Sequence, residues 1–262
     1  MKRIIFAVLV HIFFQSTNAI IGIPAQSTTS QANVYKSGEL LEYSIYYGFY
    51  NIAHASLSVT DSILNGIKTH HLEAFAETKG MSSYLFKVRD SYQSFVDVET
   101  NLPVLSIRNI REGRYKHYNE VRYNRQASEA VSLKTGVHTV PTGIQDVLSV
   151  FYLARKIDFN EELREKQILT YQSFFCDTIY DVFIQYQGID VVTLNKKDVS
   201  CYKFYLCEKN KGVITPDEEM CFWISRDGNR IPIKILFGIS VGSFVVELDR
   251  FSGLLNPFPV SN

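Results

Sequence analysis

The sequence predicts a mainly β protein: a large antiparallel, strongly curved sheet or partly open barrel with one short helix. Three observations carry this. Apolar and polar residues alternate with a period of two over most of the chain beyond residue 40, the pattern of strands with one buried face. Sixteen Tyr and eighteen Phe stand against seven Pro, so the composition favours residues that pack on pleated surfaces. Only one segment of the chain beyond residue 20 has convincing helical spacing, so the strands follow one another as a meander rather than in βαβ units. A sheet this long must curl or close to protect its edges.

Leu41, Tyr43, Ile45 and Tyr47 share one face of the first strand, the turn falls within Gly48 to Asn51, and Ala53, Ala55, Leu57 and Val59 return. The small Ala53 and Ala55 mark a place where another segment comes close. Asn65-Gly66 is a hairpin turn by type, followed by Leu72, Ala74 and Ala76 on one face. Tyr84 to Val98 reads as a long strand that Asn101 and Pro103 break. Strands are expected at 104–111, 115–124 and 129–135. Asp146 to Arg155 is the helix, with Val147, Val150, Phe151 and Ala154 at helical spacing and Thr142 or Gly143 as its cap. Residues 161–166 read as a loop or helical turn. Strands resume at 167–175, 178–187, 190–195, 199–208, 219–226, 231–237 and 241–250.

Lys2 and Arg3, the apolar run Ile4 to Phe14 and the small residues Ser16-Thr17-Asn18-Ala19 form a secretory signal peptide pattern. The run is too short for an anchored span. The expected organisation is a signal peptide over 1–19, a flexible leader over 20–34, one β-rich domain over 35–255 and a C-terminal tail over 256–262. Without a Pro- or Gly-rich linker, one domain is expected rather than two packed β halves. Lys plus Arg equals Asp plus Glu, 27 each. That balance gives no electrostatic case for nucleic acid.

All four cysteines lie between 176 and 221. Cys201 and Cys207 fall on one strand, about 20 Å apart if extended, and so do not bond to each other. A hairpin centred near Ile214 would set Cys207 opposite Cys221 and leave Cys176 and Cys201 as a second pair. Export permits such disulfides, while buried free thiols are the alternative. No C-x-x-C is present, and no His stands at ligand spacing.

The search for catalytic chemistry returns no residue. His70 and His71 are adjacent and point to opposite faces of a strand. H-E-x-x-H, a G-x-S-x-G elbow and phosphate-cradling Gly loops are absent. The polar residues of interest are Arg89, Asp90, Asp97, Arg108, Glu112 and Arg114, joined near the C-terminus by Asp227 and Arg230. Asp90 shares a face with Phe86, Val88, Tyr92 and Val96, where a charge is costly unless paired. These residues are expected to form a structural polar network or to hold a ligand.

Several segments taken together resemble a known family. They are Tyr35-Lys36-Ser37-Gly38-Glu39 before Tyr43-Ser44-Ile45-Tyr46-Tyr47-Gly48, and Val88-Arg89-Asp90-Ser91-Tyr92 with Asp97. Arg111-Glu112-Gly113-Arg114-Tyr115 and Asp146 to Tyr152 with Arg155 follow. Trp223 to Pro232 and Val241-Gly242-Ser243 complete the set. Their order is similar to that of the domain of unknown function 3108 family, exported proteins of Gram-negative bacteria. The resemblance implies a periplasmic β-rich protein and brings no activity, no cofactor and no catalytic residues. The expected function is non-enzymatic: binding a hydrophobic small molecule or a cell-envelope component. A scaffold receiving an envelope protein and a hydrolase of envelope glycan or peptide are the alternatives. No cofactor, metal, nucleic acid or membrane-spanning segment of the mature chain is expected.

Overall fold

A computed structural model describes residues 33–156, 164–210, 213–239 and 241–258. The signal-peptide segment, most of the leader and most of the tail lie outside the described residues. In order, the strands of the first half are β1 (Leu40–Tyr47), β2 (Tyr50–Leu64) and β3 (Ile67–Thr78), a helical turn α1 (Ser82–Leu85), then β4 (Arg89–Asp97), β5 (Pro103–Glu112), β6 (Tyr115–Asn124), β7 (Glu129–Ser132) and β8 (Gly136–Thr139). Helix α2 (Val147–Arg155) leads to β9 (Ile168–Phe175), β10 (Thr178–Leu194), β11 (Lys197–Asn210), β12 (Val213–Ser225), β13 (Pro232–Gly238) and β14 (Ser243–Ser252).

All fourteen strands form one sheet, ordered β8-β7-β6-β5-β4-β3-β2-β1-β14-β13-β12-β11-β10-β9. Every neighbouring pair of strands is antiparallel. The two terminal strands are therefore partners in the middle, from Leu40 opposite Ser252 to Tyr47 opposite Phe244. The free edges belong to strands from the middle of the chain. Bulges on β1 between Glu42 and Tyr43 and between Ile45 and Tyr46 add local twist. The sheet coils until its ends approach: Tyr123 of β6 meets Phe174 of β9 with ring centroids 6.5 Å apart. It does not close. Gln145 alone bridges to Ser173 of β9 in parallel, with Phe174 N–H donating to the Gln145 carbonyl at 2.7 Å. That bridge covers part of an edge that would otherwise invite another chain.

The expected alternation is present on the inward face, where Leu41, Ile45, Leu72, Phe204, Ile233 and Phe237 are fully buried. Asn65 and Gly66 make the expected turn, both with positive φ. Helix α2 begins one residue later than expected. Its cap is Asp146 rather than Thr142 or Gly143. Asp146 Oδ1 accepts from Leu148 N–H and Ser149 N–H at 2.8 Å each, and Ser149 Oγ accepts from Asp146 N–H. Two strand expectations need correction. The segment beginning at Tyr84 starts in α1, and its strand begins only at Arg89. The expected strands 178–187 and 190–195 are one long strand, β10, shifted in register at Gln187.

The cysteine pairing is also corrected. All four thiols are free. Cys207 faces Pro216 because the β11–β12 ladder runs on to Asn210 opposite Val213, so the hairpin is centred before Val213 rather than near Ile214. Three residues, Glu218 to Met220, bulge out of that ladder between Tyr205 and Leu206, and Cys221 then faces Tyr205, two positions from Cys207. Burial pushes the Cys201 and Cys221 thiols up to about 12 and Cys207 to about 11, so they stay protonated and unreactive. A peptide map under non-reducing conditions should show no cysteine-linked peptides, and reductant should leave the melting temperature unchanged. A linked pair in the folded protein would contradict this register.

Candidate functional site

The polar residues singled out from sequence do not form one site. They separate into three clusters and three isolated positions, and each has a local cause.

The first cluster is a buried ion pair. Arg155, at the end of α2, makes a bidentate contact with Glu39, at 2.7 Å to Oε1 and 3.0 Å to Oε2. Its Nε donates to the Arg230 carbonyl and its Nη2 to the Asn229 carbonyl. The rings of Tyr35 and Tyr152 flank the guanidinium at 5.5 and 5.1 Å. Asp227 organises the turn that presents those carbonyls, accepting from Asn229 N–H and Arg230 N–H through Oδ1. Both charged side chains are at most 1% exposed. A bidentate pair this dry is a geometric anchor, with its donors spent on protein partners.

The second cluster is a pair of buried carboxyls. Asp90 of β4 accepts from Arg111 N–H at 2.8 Å through Oδ1. Glu112 of β5 lies close to it, and two carboxyls brought together away from water favour a proton on one of them. Burial raises Asp90 to about 7, the Arg111 N–H opposes that rise, and the Glu112 charge adds to it. Both residues are buried. The isolated bridge Val88–Glu112 and the bond from Gly113 N–H to the Lys87 carbonyl, at 2.7 Å, hold the strands together above the pair.

The third is a shallow recess of about 50 Å³ where the β9–β10 turn meets β5 and β6, lined by Tyr92, Arg108, Asn119, Asp146, Phe175 and Cys176. Arg108 donates to Cys176 Sγ at 2.6 Å and to His117 Nε2 at 2.5 Å, and lies 5.0 Å over the Phe175 ring. Burial, then the Arg108 charge, lowers His117 to about 4. The imidazole is neutral and free to accept. Burial raises the Cys176 thiol. The guanidinium bonds to both groups, so the imidazole is not set to take the thiol proton, and the recess has room only for water. Among the described residues no group of three or more His, Cys, Asp and Glu could hold a metal ion.

Asp97 shapes the turn after β4, accepting from Glu99 N–H and Thr100 N–H. Arg89 and Arg114 are exposed. They border a feature that the sequence reading missed. The turns β1–β2, β3–β4 and β13–β14 lie at the same end of the sheet. They present Phe49 at 100% exposure, Tyr50 at 76%, Met81 at 84%, Tyr84 at 91%, Leu85 at 87% and Val241 at 73%. Lys79 N–H and Ser82 Oγ both donate to the Ile52 carbonyl, which ties the α1 loop to β2. Tyr47 Oη donates to the Val241 carbonyl at 2.6 Å, which ties in the third turn. Together the three turns form an exposed apolar rim. Its sequence signal was available: large apolar residues in turns, where Gly, Asn and Asp are usual.

An open, coiled antiparallel sheet of fourteen strands defines a β-barrel-like protein. The chain belongs to the DUF3108 family of proteins of unknown function, whose family model matches residues 42–249. The fold is similar to that of a β-barrel-like DUF1849 protein from Brucella abortus. The TM-score is 0.54 at 9% identity, over 84% of this chain and 99% of that one. A candidate exported protein with a YmcC-like fold from Bacteroides fragilis also matches at 9% identity, over 83% of this chain and 97% of that one. Its TM-score of 0.32 carries no argument. No curated protein matches the chain. No helix among the described residues is long and apolar enough to cross a membrane.

Proposed function

We propose that the chain is an exported, non-enzymatic protein of the periplasm that holds a cell-envelope component at the apolar rim of its sheet. The carrying observation is the row of six exposed apolar side chains on three adjacent turns. Desolvating such a row on a partner is favourable by about 25 cal/mol per Å², and leaving it in water is not. The N-terminal pattern of Lys2 to Ala19 supports export. A hydrophobic ligand inside the sheet is less well supported, because Leu41, Ile45, Phe204, Ile233 and Phe237 already fill the inward face.

Cell fractionation tests the proposal. The protein should sediment with the envelope, and a Phe49→Ser/Tyr84→Ser/Leu85→Ser variant should move to the soluble periplasmic extract. All three positions are exposed, so stability should change by less than about 0.5 kcal/mol each. An unchanged distribution of a folded variant would sink the rim reading.

A further inference from the structure

We propose that the component held at the rim is the surface of a bilayer carrying anionic headgroups; this rests on the rim reading above and names its partner. The second observation is charge. Lys79, Lys87, Arg89, Arg111, Arg114 and Lys116 are all exposed. They lie on the α1 loop, the β4 start and the β5–β6 hairpin, beside the apolar turns. None is within ion-pair distance of a carboxylate among the described residues. The carboxylates of this sector are withdrawn. Asp90 and Glu112 are buried, and Glu77 is part-buried opposite Arg89 in the β3–β4 ladder. The exposed acids Glu218 and Glu219 and the half-buried Asp217 sit on β12, on the far side of the rim, where the Glu219 side chain lies against Gly238 at the β13–β14 turn. A chain with no net charge overall thus collects one sign on the α1 and β5–β6 side of its apolar rim.

Aromatic and aliphatic side chains projecting from turns, flanked on one side by Lys and Arg, match the depth profile of a bilayer surface. Apolar groups enter the acyl boundary, Tyr rings settle at the headgroup level, and cations meet the phosphates. Phe49 and Leu85 supply the inserting groups, and Tyr50 and Tyr84 the interfacial ones. A globular partner of matching shape would need a groove for each projecting turn. A fluid surface accommodates all three.

The test uses protein purified after export, with vesicles of phosphatidylcholine alone or mixed in equal part with phosphatidylglycerol, read by co-sedimentation. Binding should be at least roughly tenfold tighter to the mixed vesicles. It should weaken as salt rises from about 0.1 to 1 M, which shortens the Debye length from about 10 to 3 Å. Lys87→Glu/Arg114→Glu should lose most of the anionic preference, and Phe49→Ser/Tyr84→Ser/Leu85→Ser should lose binding to both vesicle types. Equal affinity for the two vesicle types, or charge-reversed protein that binds like wild type, overturns the proposal. Absence of vesicle binding with rim-dependent retention in cells overturns the lipid assignment and leaves the rim reading standing on a protein partner. Loss of rim-dependent retention in cells overturns the rim reading itself.

Discussion

Arg155→Ala is expected to destabilise the protein by about 3–5 kcal/mol, because it leaves the Glu39 carboxylate buried without a partner. The same substitution strips the Asn229 and Arg230 carbonyls of their donors and removes the cation between the Tyr35 and Tyr152 rings. Native stability is only about 5–15 kcal/mol in total, so the variant should unfold at much lower urea or fail to accumulate. Glu39→Met combined with Arg155→Met supplies the control. It removes both charges at similar volume and should recover a good part of the loss. Urea titration of the three proteins decides it. An Arg155→Ala loss below about 1 kcal/mol, or a double variant no more stable than Arg155→Ala, would refute the role given to the pair.

Asp90→Asn should raise stability at and above pH 7 and leave it little changed near pH 4. An unfolded Asp side chain titrates near 3.8, and burial moves the folded one to about 7. Between those values the folded chain keeps a proton that the unfolded chain has released. Asp90 therefore contributes a stability that falls as pH rises from about 4 to about 7 and is level outside that window. Allowing for the proton shared with Glu112 and for water reaching the rim, the effect is on the order of 2 kcal/mol. That corresponds to a difference of about 5 °C in melting temperature. Asparagine keeps the acceptor for Arg111 N–H and offers Glu112 a neutral donor at every pH. Melting curves of both proteins across this range give the difference directly. A variant that tracks wild type at each pH would show that Asp90 titrates normally.

What sequence could reveal follows the range of the forces involved. Alternation is local, so β1 to β6 and the inward face were legible from residues such as Leu41, Tyr43 and Ile45. The Asn65-Gly66 turn was legible because two residues determine it. Register is not local. The β11–β12 ladder runs on to Asn210 opposite Val213 and takes in a three-residue bulge at Glu218 to Met220, so Cys221 faces Tyr205 rather than Cys207, and no pattern in β12 announces either. The apolar alternation through Tyr84, Phe86 and Val88 suggested a strand, yet the α1 turn is set by Ser82 bonding to Ile52 of another strand. The family-like segments were read as separate motifs. Their meeting point, Glu39 with Arg155, joins residues 116 positions apart, which only the fold brings together. Asp90 was expected to be costly on its apolar face unless paired; it accepts from Arg111 N–H, and the side chain beside it is a second acid rather than a base.

The neighbouring terminal strands place a time order on folding. Ser44 and Asp249 pair across 205 positions, so β1 waits for the last strand before its second edge is filled. Until then the nascent meander β1–β8 carries an unsatisfied row of N–H and C=O groups beside its most apolar strand. Closing that gap is a long-range step, slow by comparison with hairpin formation and exposed to wrong partners while it waits. Trimming a chain end usually frays a margin. Here, removal of residues 243–252 would split the sheet through its centre, leaving two meanders joined only by the segment that carries α2.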